Sequence, residues 1–286
     1  MNGAAKMMVQ DAVSDLRSES RSAFEALLFP FLGSRFSDHA TFEYLPMDIS
    51  FHGVQIAIPK WVVNRELLKV GERIQLHLPF RYADRAYTEG TVRWARWDED
   101  IQSQRYGIRM ENPRDVFYPL YIHTDTQSVQ LDLGDHDSME ALITTILKDA
   151  VLLKKGILIY LNHLVPFFSR ISERSKHDYE RLKGVLFEDI RKQVRAHLDV
   201  LEGLYQQVKE ERKPVQGVLE TIDFDQLREA VCSEIQAEVL KTALDTEAVN
   251  VYIDAIQTLE KKMYTNYNAL VIFFVYSLQN VEDNRR

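Results

Sequence analysis

The sequence predicts an α+β chain of two domains, an antiparallel β-barrel or sandwich followed by a helical bundle. Three observations carry this. Between about residues 22 and 123, apolar side chains alternate with polar ones at a period of two. From about residue 137 the apolar spacing changes to three and four. Residues 124–137 lie between the two patterns, are polar, and read as a linker. The expected organisation is therefore an N-terminal segment 1–21, a β domain 22–123, a linker 124–137 and an α-helical domain 138–286.

The first strands are read at Phe24 to Leu32 and Thr41 to Leu45, both rich in Phe, Leu and Tyr. Val54, Ile56 and Ile58 then alternate with Gln55 and Ala57, and Ile74, Leu76 and Leu78 with Gln75 and His77. Thr91 to Trp97 and Tyr106 to Met110 repeat the alternation, and Gly71-Glu72 and Glu89-Gly90 supply turn signals. In the second half, Met139, Leu142, Ile143, Ile146 and Ala150 open a helix that reaches about Leu164, with Pro166 expected to stop or kink it. A second helix is expected from Glu173 to Glu211, with Pro214 just past its end. A third is read from Phe224 to Leu244, opened by Asp223 or a neighbour, and a fourth from Glu247 to Gln279. Two helices of this length suggest a bundle or a long antiparallel pair with coiled-coil character.

Composition narrows the function classes. Hydrophobic residues make up 45% of the 286, enough for a substantial core. The formal charge is −8, and residues 1–125 hold 15 Lys+Arg against 17 Asp+Glu while the rest holds 20 against 26. An acidic second half argues against nucleic acid as a general partner. The single cysteine, Cys232, allows no internal disulfide and fits a reducing cytoplasm; it reads as a small buried hydrophobe. The longest apolar run, Ala269 to Tyr276, is far short of a transmembrane span, and the N-terminus has no signal-peptide pattern. No His-x-x-x-His spacing, phosphate loop or Gly-x-Ser-x-Gly elbow is present, so neither a metal, a cofactor nor an enzyme is expected. Asp132, Asp135, His136 and Asp137 read as a solvated part of the linker.

The motif that stands out is Asp-x-Ser-x-x-Gly, which occurs once, at Asp48, Ser50 and Gly53, followed at once by an alternating strand. Arg-x-x-x-Arg spacing occurs five times and means little by itself, but only Arg17/Arg21 precedes Asp48, with one strand after it. Downstream, Leu67 to Leu76 reads as strand-turn-strand, and Gly90 to Trp94 and Tyr106 to Met110 as two last strands. In this order the residues resemble the PilZ domain family, bacterial receptors for cyclic di-GMP, over roughly residues 15–125.

The resemblance implies a six-stranded antiparallel barrel and a ligand site of Arg17, Arg21, Asp48, Ser50 and Gly53. It implies that the two guanidinium groups fork onto phosphate or guanine, a geometry suited to arginine. Asp48 would accept from guanine N1–H and N2–H, Ser50 would add a short polar contact, and Gly53 would allow a tight turn and close backbone approach. Trp94 and Trp97 leave two readings open, one indole flanking the ligand, or one in the barrel core and the other in a surface patch. The expected protein is a cytoplasmic switch whose helical half delivers the output to a protein partner, with a homodimer among the expectations. The rival reading is a barrel without ligand that serves as an interaction scaffold. Flagellar-brake members carry their PilZ domain behind another β domain, whereas here it comes first, so that target is not carried over.

Overall fold

A computed structural model of the chain describes residues 22–23, 30–82, 85–113, 120–122, 138–171, 183–211, 215–235, 240–242 and 247–283. Its strands are β1 (Ser22–Ala23), β2 (Phe31–Arg35), β3 (Thr41–Ile49), β4 (Gly53–Pro59), β5 (Arg73–Gln75), β6 (Phe80–Tyr82), β7 (Arg85–Asp98), β8 (Ser103–Pro113) and β9 (Leu120–Ile122). Its helices are α1 (Met139–Ile171), α2 (Asp189–Glu211, entered through a π-helical turn at Lys183–Glu188), α3 (Val215–Thr221), α4 (Phe224–Val231) and α5 (Glu247–Asp283).

Six strands close into an antiparallel barrel in the order β2-β3-β4-β8-β7-β5, with β5 pairing back onto β2. Closure leaves no bare edge among these six. The alternation read in the sequence supplies the interior: Ile56, Ile58, Val92, Tyr106 and Ile108 are buried and point inward. Phe31 and Tyr44 meet edge to face with ring centroids 5.8 Å apart, a cross-strand pair of the kind that pins register. Tyr106 directs its hydroxyl at the loop after β4, where it accepts from the Leu68 N–H at 3.2 Å. Gly71 sits at φ +88, so the turn signal at Gly71-Glu72 rests on a left-handed residue that only glycine adopts freely.

β1 pairs with the Asp48–Ile49 end of β3, and β6 pairs with β7 on one side and in parallel with β9 on the other. Of the strand expected at Phe24 to Leu32, residues 24–29 lie outside the described residues, and the described strand β2 starts at Phe31.

The helices depart from the expectation in three places. Helix α1 runs through Pro166 to Ile171. A proline in a helix loses its N–H bond and crowds the carbonyl four residues back, and the fully buried Leu161 and Leu164 anchor the preceding turn against that cost. The start expected at Glu173 lies outside the described residues. Helix α3 was not expected: Pro214, read as a stop, immediately precedes a new helix. The third expected helix breaks at Val231, where Ser233 Oγ accepts from the Ile235 N–H at 3.0 Å and offers the backbone an alternative to the helical ladder. Asp223 caps α4 as expected, accepting from the N–H groups of Asp225 and Gln226 at 3.0 Å. Among the described residues no helix is long and apolar enough to cross a membrane.

Helix α1 packs against both α2 and α5, and α5 also lies on β2. One hydrophobic core therefore runs from barrel to helices. Two buried ion pairs lie at this junction. Glu43 on β3, fully buried, meets Arg228 of α4 at 3.3 Å. Lys154 of α1, also buried, pairs with Glu234 at 2.5 Å. Burial disfavours the Glu234 anion, but His197 and Lys154 outweigh it and hold its pKa below the ordinary value. Burial pushes the Cys232 thiol up to about 12, so it is protonated at neutral pH.

Candidate functional site

The Asp-x-Ser-x-x-Gly segment is the hairpin between β3 and β4. The Ser50 N–H donates to the Gly53 carbonyl at 2.7 Å and its hydroxyl to the same oxygen at 3.3 Å, which closes the turn. Gly53 is needed for proximity. A Cβ there would lie 3.0 Å from the Ile108 carbonyl oxygen, tighter than side chains ordinarily pack. The positive φ that a tight turn would use is found at Gly71 and not at Gly53.

Asp48 stands at the mouth of this hairpin, and its direction is set by a β-bulge. The β3–β4 register shifts between Pro46 and Asp48, leaving Met47 as the extra residue. The bulge puts Asp48 opposite Gln55 on the outer face of the barrel, while Ile49 and Val54 stay buried within it. A second bulge, between Val92 and Trp94 on β7, brings Trp94 opposite Gly107.

These registers line up. Ala23, Asp48, Gln55, Gly107 and Trp94 form one continuous row across β1, β3, β4, β8 and β7. With its amide turned to suit its neighbours, Gln55 donates to Asp48 Oδ2 at 2.8 Å and accepts from Arg105 Nη1 at 3.3 Å. Arg105 in turn meets Asp98 at 2.8 Å. Gly107 has no side chain, and the Trp94 indole lies over its backbone while 40% of the residue stays exposed. Arg109, exposed, is the register partner of Gly53. The row thus offers a carboxylate, an amide and a π-face in line, flanked by two guanidinium groups.

Of the residues singled out in the sequence, Asp48, Ser50 and Gly53 come together at one corner of the barrel. Arg17 and Arg21 lie outside the described residues, as do Asp132, Asp135, His136 and Asp137. Strand β1 begins at the residue after Arg21, and its Ser22 and Ala23 pair with Ile49 and Asp48. Gln55, Arg105, Arg109 and Gly107 were not singled out from the sequence. Their signal was outward parity on two strands next to the motif, which becomes visible only once strand pairing is known. Trp97 is half-buried, with the Lys60 ammonium 4.9 Å from its ring centroid.

Residues 15–116 match the family model described as the PilZ domain. The N-terminal part of the chain is a PilZ domain. Two solved structures resemble it in part. The Bacillus subtilis inhibitor of motility, MotI/DgrA, is 15% identical; the match covers 34% of this chain and 44% of that one, with a TM-score of 0.25. The PilZ domain of YcgR from Escherichia coli, solved with c-di-GMP, is 14% identical over 34% of this chain and 78% of that one, with a TM-score of 0.24. This chain therefore spans 44% of the length of the first of them. No curated protein matches the chain. The PilZ domain accounts for the barrel, and the helical half lies beyond the match.

Proposed function

We propose that the PilZ domain of this chain is a cytoplasmic receptor for cyclic di-GMP and that the helices carry its output to a protein partner. The observation that carries the reading is the row Asp48–Gln55–Gly107–Trp94 with Arg105 and Arg109 beside it. Each part suits one part of the ligand. The Asp48 carboxylate accepts from the N1–H and N2–H of a guanine, a charge-assisted pair. The Trp94 indole offers a stacking face, worth ~1–3 kcal/mol per base. Arginine forks suit phosphate oxygens and the O6/N7 edge of guanine.

Arg17 and Arg21 are assigned phosphate and guanine contacts by the family pattern. Arg21 immediately precedes Ser22 in the sequence, and Ser22 pairs with Ile49, the neighbour of Asp48. Ser50 and Gly53 shape the turn that holds Asp48 in place. In this reading the protein is a switch and performs no catalysis.

A tryptophan-fluorescence titration tests the stacking contact directly. In a Trp61→Phe, Trp97→Phe background only Trp94 reports. Cyclic di-GMP should quench it saturably and GTP should not. An unchanged signal at saturating ligand removes Trp94 from the site.

The scaffold reading has its own support. Gln55 already occupies Asp48 Oδ2, and the Ser50 hydroxyl is already bonded to Gly53. Both polar groups can be explained by the hairpin alone. On that reading no guanine nucleotide binds, and Asp48→Ala changes stability only.

A further inference from the structure

The barrel does not close by strand pairing alone. β2 and β5 are registered only at Ser34 with Gln75 and Arg35 with Ile74. Beyond Gln75 the chain kinks at His77, whose φ of 49 is rare for a residue with a side chain. The two strands part there, and the gap is filled from helix α5.

Asn268, fully buried, enters the gap. Its Oδ1 accepts from the Leu32 N–H at 2.8 Å, and its Nδ2 donates to the Leu32 carbonyl at 3.0 Å and to the His77 carbonyl at 3.0 Å. The Leu76 carbonyl lies at 3.5 Å. One side-chain amide thus satisfies both backbone groups of Leu32, as a paired residue of a neighbouring strand would. Tyr264, one turn earlier on α5, supports the same place. Its ring meets the His77 imidazole edge to face at 5.3 Å, and its hydroxyl accepts from Thr41 at 3.3 Å. The His77 ring is fixed on its other side by Ser34, 2.9 Å from Nε2. A strained residue held by this many partners is the kind of position where two arrangements of a fold can differ.

The place matters because of what lies along the same strands. Thr41, held by Tyr264, and Glu43, held by Arg228, are on β3, the strand that carries Asp48 at its other end. Strand β2, held by Asn268, pairs along β3 from Phe31 to Ser34. Strand β3 therefore joins the hairpin, across the bulge at Met47, to residues that α4 and α5 grip.

We propose that this seam is the joint between ligand and output, and that Asn268 is its coupling residue, gripping one state of the barrel more tightly than the other. The inference rests on the receptor reading above. Linkage makes it testable in both directions. If the seam differs between the free and bound barrel, ligand must change the protection of the Leu32 amide, and removal of Asn268 must change ligand affinity.

Hydrogen exchange of the full chain with and without cyclic di-GMP tests this without any substitution, and calorimetry of Asn268→Leu adds the reciprocal arm. The expected result is at least a fivefold change in exchange at Leu32 and across residues 264–272 on binding, and a Kd for Asn268→Leu shifted at least fivefold. Saturable binding by the unaltered chain, with exchange at both places constant within twofold, overturns the coupling and leaves the receptor reading intact. Absence of binding heat with the unaltered chain overturns the receptor reading, and the coupling with it.

Discussion

The Trp94 indole covers Gly107 so closely that a Cβ on residue 107 would sit 2.0 Å from its Nε1. Glycine at 107 is therefore what lets the ring lie flat on the outside of the barrel. Gly107→Val should expel the indole and weaken cyclic di-GMP binding about tenfold, the loss of one stacked base. Trp94→Ala should do the same, and the two together should be no worse than either alone, because both remove one contact. A double variant much weaker than each single one contradicts this.

Gln55 links Asp48 to Arg105. Gln55→Leu keeps the volume and removes the link, so both charged groups lose their fixed direction. Binding should fall roughly fivefold, against roughly 30-fold for Asp48→Ala, which removes the charge-assisted bond to guanine proposed above, ~2 kcal/mol. Isothermal titration of both variants checks the order of the two losses.

Arg228 faces the fully buried Glu43 across the barrel–helix junction. Burial raises the Glu43 pKa and the Arg228 charge opposes that rise. Arg228→Met should cost about 3–5 kcal/mol, because it strands a buried acid. Adding Glu43→Leu should restore much of the loss. Denaturant unfolding of the two singles and the double measures this, and a double variant as unstable as Arg228→Met contradicts it.

Glu260 of α5 is enclosed by Ser233, which donates to it at 2.7 Å, and by Lys154 and Glu234. Burial pushes its carboxyl from 4.5 up to about 7. A raised acid is protonated in the folded chain while the unfolded chain has already lost the proton. Its contribution is therefore complete below about pH 4.5 and is lost as the pH rises through about 7. Glu260→Gln should remove this loss, with a gain of ~3 kcal/mol over the unaltered chain at pH 8 that shrinks towards pH 5. Equal differences at pH 5 and pH 8 contradict the assignment.

The barrel was legible because its strands are half-buried ladders, and period-two alternation survives wherever one face meets a core. Ile56, Ile58, Tyr106 and Ile108 are where that pattern puts them. The motif hairpin was legible for a different reason: Asp48, Ser50 and Gly53 act within one turn, so their spacing in sequence is their spacing in space. The rest of the row was not legible. Met47 and Arg93 are bulge residues, and a bulge shifts the parity of everything beyond it. Gln55 and Gly107 take their meaning from register partners far away in the chain.

The helical half was legible as helix and less so as ends. The Ser233 break and the run through Pro166 depend on side-chain bonds and on packing, which overrule local propensity. Asn268 was invisible for the same reason. Within the apolar run Ala269 to Tyr276 and its approach, nothing marks that amide as a substitute for a strand.

The most direct test is a calorimetric titration of the full chain with cyclic di-GMP, with GTP as control and Asp48→Ala and Arg21→Ala alongside. The receptor account expects saturable heat with cyclic di-GMP alone, weakened by both substitutions while the fold is kept. A folded chain that gives no heat at high ligand concentration, or binding that both substitutions leave unchanged, contradicts it.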